Sequence, residues 1–296
     1  MDIKDLYKWC KILPGKLEGH PDLKIPFRMV SDSLEMGELM AREFVDEIKA
    51  ACREKGSIRV IVPCGPKCWY PVFARIVNTE KVSLRNMTVF HMDECLNWEG
   101  KLLPAHHPYN FRAFMERHFY GDILPGLQVP PAQRYFPSPP AIDTIRQRIS
   151  EAPVDLLLGG WGQDGHVAYN QARRHPYSNL SLEQLRNSEI RIQDNNPDTL
   201  IALGHRTFGG AYQFVPPMSV TLGMKECLSA RKIRLFSDTG AWKQTALRVA
   251  LFSPETVEYP ITLLQHHPDV LITATRETAS HPIADNPDWE FEGIHI

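Results

Sequence analysis

The sequence predicts an α/β fold: an open, mostly parallel, doubly wound (Rossmann-like) sheet with helices on both faces. Three observations predict it. Short apolar or β-branched runs recur at IRVIVP (58–63), NMTVFHMD (86–93), VDLLLGG (154–160), IRLFSD (233–238) and VLITAT (270–275). Segments of helical spacing lie between them. Polar or glycine-rich turns follow the runs. A short run that is apolar throughout suits a strand covered on both faces. Alternation of such strands with helices implies a parallel sheet.

Residues 1–30 show weak periodicity and several prolines and glycines, and read as an extension that wraps the domain. From Ser33, SLEMGELMAREFVDEIKAACREKG carries an apolar stripe at helical spacing, a Ser cap and Gly56 as its stop. WYPVFARIV (69–77), PYNFRAFMERHFY (108–120), AIDTIRQRIS (141–150) and GAWKQTALRVALF (240–252) read as further helices. PPAQRYFPSPPA (130–141) is a Pro-rich loop within the domain, and no internal repeat is visible. These readings give one domain over 31–278 and a polar tail over 279–296, frayed or draped over a neighbour.

The chain has 296 residues, 43% hydrophobic and 23% charged, an ordinary globular composition. A formal net charge of −2 gives no broad basic surface, which argues against nucleic acid as a partner. No apolar stretch approaches the roughly 18 residues of a membrane span, and the charged start argues against a signal peptide. The six cysteines, at 10, 52, 64, 68, 95 and 227, are scattered, as expected of reduced thiols in a cytoplasmic protein. Cys64 and Cys68 form a CxxxC pair with no second pair to complete a zinc site, so no metal is expected. His106–His107 and His266–His267 flank prolines and read as turn residues.

In open parallel sheets, ligands bind beyond the carboxyl ends of the strands. There the first run delivers VPCGPKC, the second HMDEC with Asp93 and Glu94, the third GGWGQDGHVAYNQ, and the fourth SDTGAWK with Lys243. Carboxylates, a histidine, glycines and a lysine meet at one edge. Gly162 and Gly165 permit tight backbone. His166 suits acid–base work near neutral pH, and Asp164 is placed to orient it. Taken alone, the DGH triplet reads rather as a tight turn in which Asp caps a helix; Asp93 emerging at a second strand end shifts the reading toward a site. Cys64, near a helix start, could carry a lowered pKa. Trp161 could stack on a ligand ring or simply cover the loop.

The blocks VFHMDE, GQDGHVAYN and TGAWK resemble the glucosamine-6-phosphate deaminase family, within the superfamily shared with 6-phosphogluconolactonase. HPYNFRAFM (107–115), HRTFG (205–209), SVTLGM (219–224) and LLQHHPDVLI (263–272) support the match in order and spacing, from about residue 35 to 276. The resemblance implies that Asp93 moves a proton between C2 and C1 of an open-chain sugar. It implies that His166, oriented by Asp164, opens the ring. Arg206 and Lys243 would hold the 6-phosphate; in the first loop, beside Gly65, either Lys67 adds to that attraction or the loop forms a different pocket. A sugar phosphate is the implied substrate, with no metal or organic cofactor and a homo-oligomeric assembly.

Two positions depart from the family pattern. Its Glu, seven residues after the DGH Asp, is Gln171 here, which removes a negative charge near His166. Its small-residue phosphate loop is replaced by PCGPKCWYP (63–71), with Pro66, Trp69 and Tyr70. Both changes suggest an altered substrate or reaction. The leading expectation is ring opening and aldose–ketose isomerisation of a phosphorylated amino sugar, with or without ammonia release. The alternatives are a lactonase-type hydrolase, or a sugar-phosphate-binding regulator without turnover.

Overall fold

The computed structural model describes residues 1–171, 177, 179–286 and 288. Ten strands form two sheets. They are β1 (Phe27–Val30), β2 (Ile58–Val62), β3 (Met87–His91), β4 (Asp93–Leu96), β5 (Arg134–Tyr135), β6 (Leu156–Gly159), β7 (Arg191–Asp194), β8 (Met218–Thr221), β9 (Lys232–Ser237) and β10 (Val270–Thr275). Seven make a parallel sheet in the order β1-β10-β9-β6-β2-β3-β5; β4, β8 and β7 make a small antiparallel one.

Alternation along the main strands sends side chains to opposite faces. Val60, Val62, Leu156 and Leu158 join one buried cluster; Ile61, Leu157, Ile233 and Leu235 join the other. Each face is closed by helices that bring their own apolar stripe. Ser33–Lys55 contributes Met36, Met40, Phe44 and Ile48 to the first cluster, and Gln244–Phe252 contributes Ala246, Leu247 and Leu251 to the second. Phe44 has no exposed surface; truncating such a side chain to Ala costs about 3–5 kcal/mol.

The chain builds β2, β3 and β5 outward to one edge, then returns to place β6 on the other side of β2. Helices leaving the sheet on either side of this reversal diverge and open a crevice at the carboxyl ends of β2 and β6.

Several details differ from the sequence reading. The sheet begins inside the expected extension: Phe27–Val30 pairs with β10 in the register Val30↔Thr275. The long helix is capped by Asp32, whose side chain accepts from the backbone of Leu34 (2.9 Å) and Glu35 (3.0 Å), not by Ser33, which is its first residue. The segment read as one helix over 108–120 is a short helix, Phe111–Met115, continued by a wider turn, Glu116–Tyr120. Part of the expected tail is packed: Arg276–Ala279 and Pro282–Asp285 are helical turns and Ala279 is buried. The rest of the tail, residues 287 and 289–296, lies outside the described residues.

Candidate active site

A cavity of about 380 Å³ opens at the β2/β6 reversal. Its wall includes Cys64 to Lys67 after β2, Asp93 after β3, Gly160 to Gln163 and His166 after β6, and Asp238 and Lys243 after β9. The helix Pro197–Phe208 adds Thr199, Leu203 and Arg206. Asp93, His166, Gly65, Lys67, Arg206 and Lys243 all line this one space. Asp164 and Gln171 stand behind His166.

The loop after β6 is shaped around the imidazole. A side chain at Gly162 would place its Cβ 2.0 Å from the His166 ring. Gly165 has φ +71, and its Cβ would press on Tyr259 at 2.9 Å. Ala168, in the cavity wall, holds φ 53, a region that residues with side chains rarely adopt. Asn170 is fully buried and donates to the carbonyls of Val167 (3.0 Å) and Leu222 (2.9 Å), tying the loop to the end of β8. Tyr169 stacks on the His166 ring with centroids 5.3 Å apart.

His166 Nδ1 lies 2.6 Å from Asp164 Oδ1. Asp164 Oδ2 accepts from Gln171 Nε2 at 2.9 Å. Burial alone would raise the Asp164 pKa, but the charge of His166 and the hydrogen bonds from its ring and backbone outweigh it and lower the value. Asp164 is therefore a carboxylate, and it orients the ring. The Nε2 edge of His166 is left for a ligand.

Asp93 is the first residue of β4. Burial, and then the neighbouring Glu94, push its pKa up to about 8. Glu94 has a structural role. Its carboxylate accepts from the backbone of Cys95 (3.0 Å), Phe111 (2.8 Å) and Arg112 (2.7 Å), so it staples the next helix to β4. Burial still raises it to about 7 against those bonds. A carboxylate that is costly to ionise is a strong base once ionised, which suits removal of a proton from carbon.

The cavity lining is also cationic. Lys67, Arg206 and Lys243 form no ion pair among the described residues. Lys243 is lowered to about 8 by burial and then by the charge of Arg206. Two cations that repel each other, with no carboxylate bound to either, form a site for a multivalent anion. Trp161 is buried in the wall, and Lys243 Nζ lies 5.7 Å from its ring centre. Lys67 Nζ lies 4.3 Å from the Phe114 ring centre. The altered 63–71 loop is pinned from below: Trp69 and Tyr70 are buried in the core and donate to the carbonyls of Pro66 (3.1 Å) and Pro63 (2.7 Å). Both aromatic side chains therefore leave the cavity. Cys64 does face it, but burial pushes its thiol pKa up, against the lowering a helix start suggests.

Sequence reasoning did not single out Thr199, Gln163 or Asp238, which also line the cavity. Thr199 sits on a helix whose Pro at the first position and Gly209 at the end were available as signals. The second histidine of each pair serves a turn, whereas His266 ends the helix Pro260–His266 and lies 3.7 Å from Glu255. His107 accepts from Tyr109 N at 3.1 Å and His267 from Asp269 N at 3.2 Å.

No family model matches the chain. Among curated relatives, it is 33% identical over 204 residues to a glucosamine-6-phosphate deaminase of Aliivibrio fischeri, covering 65% of this chain and 67% of that protein. It is 30% identical over 237 residues to one of Beutenbergia cavernae, covering 76% and 84%. Its fold is that of a structure described as a monomeric glucosamine-6-phosphate deaminase, with TM-score 0.70 and 22% identity over 86% of this chain and 98% of that one. It is also that of the 6-phosphogluconolactonase from Thermotoga maritima, with TM-score 0.58 and 17% identity over 84% and 98%. Those lower identities speak for the fold, and the curated relatives for the lineage: the chain belongs to the glucosamine-6-phosphate deaminase family.

Proposed function

We propose that the protein opens the ring of an amino sugar phosphate and isomerises it, releasing ammonia, as a glucosamine-6-phosphate deaminase. The observation that carries this reading is the common cavity, lined by Asp93 and the Asp164-oriented His166 together with the cations Lys67, Arg206 and Lys243, which form no ion pair among the described residues. In this proposal the phosphate binds Arg206 and Lys243, with Lys67 and the Gly65 backbone closing over it. His166 Nε2 takes the C1 hydroxyl proton and delivers it to the ring oxygen as the C1–O5 bond opens, leaving the C1 aldehyde. Asp93 takes the C2 proton and returns it to C1. The resulting C2 imine is hydrolysed by water, which leaves a ketose and ammonia. No metal or organic cofactor takes part.

Ammonia release from glucosamine 6-phosphate, together with solvent-deuterium incorporation at carbon, tests the reading. Neither signal, with binding intact by thermal shift, would leave a sugar-phosphate-binding regulator. One observation favours a second reading: Gln171 supplies an amide where the family has Glu, so His166 contacts one carboxylate. A histidine so placed can activate water on a lactone, and acid release from 6-phosphogluconolactone tests this.

A homo-oligomer and a cytoplasmic location complete the proposal. Ile201, Tyr212 and Phe214 expose apolar surface on adjoining turns, and the six cysteines are free. A single monomeric species at all concentrations by sedimentation velocity would remove the first. Recovery outside the cytoplasmic fraction would remove the second.

A further inference from the structure

We propose that Thr199 is a positioning residue that selects the tautomer of His166; the proposal rests on the reading above, in which His166 carries a proton. Thr199 lies in the first turn of the helix Pro197–Phe208 and is 2% exposed. Its hydroxyl oxygen accepts from Gln171 Nε2 at 2.6 Å and Gln163 Nε2 at 3.1 Å. Gln171 is therefore held at every polar atom. Its carbonyl oxygen accepts from the backbone of Asn196 at 2.8 Å. One amide hydrogen goes to Asp164 Oδ2 at 2.9 Å and the other to Thr199.

An amide has two hydrogens and no more. Both are spent, so none remains for His166 Nδ1, although Nδ1 lies 3.0 Å from Gln171 Nε2. The imidazole must then itself donate from Nδ1 to Asp164 Oδ1, 2.6 Å away. In the neutral ring this leaves the lone pair on Nε2, facing the cavity. The Gln171 amide cannot be turned over, because its oxygen would meet the Asp164 carboxylate and its nitrogen the Asn196 N–H.

Removing the Thr199 oxygen strands one buried N–H of Gln171, and a buried unpaired donor is costly. The remaining acceptor within its reach is His166 Nδ1. A hydrogen bond there moves the ring proton to Nε2, and the cavity then faces an N–H where it needs a base. The same helix carries Arg206, so Thr199 also joins the anion end of the cavity to the acid–base loop.

The test uses the full chain with 15N-labelled histidine and the variants Thr199→Val, Thr199→Ser and Thr199→Cys. The ring nitrogen resonances of His166 report the tautomer without any substrate. Wild type and Thr199→Ser should show Nδ1–H, whereas Thr199→Val should shift toward Nε2–H. With glucosamine 6-phosphate, Thr199→Val should lower kcat by at least about tenfold, the direction in which a wrong tautomer acts, with KM within about twofold. Thr199→Ser should stay within about threefold of wild type. Thr199→Cys, a weaker acceptor of similar size, should fall between and serves if the Val variant does not fold. A wild-type tautomer in Thr199→Val overturns the proposal, as does a Thr199→Ser variant as impaired as Thr199→Val. If no variant or wild type turns the sugar over, the functional reading fails, and the resonances still decide the role of Thr199.

Discussion

Gln171 Nε2 donates to Asp164 Oδ2 at 2.9 Å, so the position at which the chain departs from its family pattern touches the carboxylate that holds the histidine. The amide satisfies Asp164 without adding charge. A Glu here would set two carboxylates face to face, and like charges this close cannot both ionise cheaply.

Gln171→Glu should therefore behave differently at acid and alkaline pH. When protonated, the new carboxyl replaces the amide as donor to Asp164. Its folded-state pKa is raised above its unfolded value, so its contribution to stability is present at low pH and lost as pH rises through the folded value. The melting temperature should match wild type near pH 5 and fall below it near pH 8. The added charge near His166 favours imidazolium, so the pH optimum for ammonia release should move upward. Unchanged melting and pH profiles would mean that the amide proton to Asp164 is unimportant.

Asp93→Asn should abolish deuterium incorporation into the sugar while leaving thermal shift by phosphosugar largely intact. In wild type, exchange should rise with pH through about 8, because burial and Glu94 hold the base protonated below that value. The sign for folding is separate. With its pKa raised in the folded state, Asp93 favours folding at low pH and loses that contribution as pH rises through about 8. Asp93→Asn should thus melt higher than wild type at pH 9. Exchange that persists in the variant would assign the proton transfer elsewhere.

Legibility in the sequence followed burial. VDLLLGG announced β6 because Leu156, Leu157 and Leu158 are all buried, so no polar residue interrupts the run. Arg191–Asp194 gave no such signal: as an edge strand it alternates half-buried and exposed residues, and its four polar or isolated apolar side chains look like loop. The active-site glycines, Asp164 and His166 were legible because they cluster within one turn. Thr199 was not, since its role comes from a helix packed against that turn from 28 residues away. Trp69 and Tyr70 misled in the other way: they counted among the changes that set the phosphate loop apart, and only the tertiary fold turns them into the core.

Gly162→Ala should inactivate the protein with little change in fold. A Cβ there lies 2.0 Å from the His166 ring. The loop is anchored elsewhere by Asn170 and by the bond from Ile261 N to Gly165 O at 2.7 Å. The ring is therefore the part that gives way, and it leaves Asp164. Turnover should fall at least about a hundredfold, as displacement of a reacting group does. Circular dichroism and phosphate binding should be retained. An active Gly162→Ala variant would show that the ring position seen here is dispensable.

Lys243 separates anion recognition from stability. Its pKa is lowered to about 8, by burial first and then by Arg206, so at pH 7 the unliganded protein holds a cation in a place that disfavours charge. A lysine depressed in this way costs stability below its folded pKa, and the cost fades as pH rises through the unfolded value. Lys243→Met should therefore raise the melting temperature of the unliganded protein at pH 7 and do so progressively less at higher pH. Inorganic phosphate should reverse the ranking: it stabilises wild type by pairing with Lys243 and Arg206, and should stabilise the variant much less. For the sugar, Lys243→Ala should weaken the phosphorylated ligand by about 1.5–3 kcal/mol, the worth of a hydrogen bond to a charged group, and leave the unphosphorylated analogue nearly unaffected. Equal losses for the two sugars would place Lys243 against another part of the ligand, and the anion would then rest on Lys67 and Arg206.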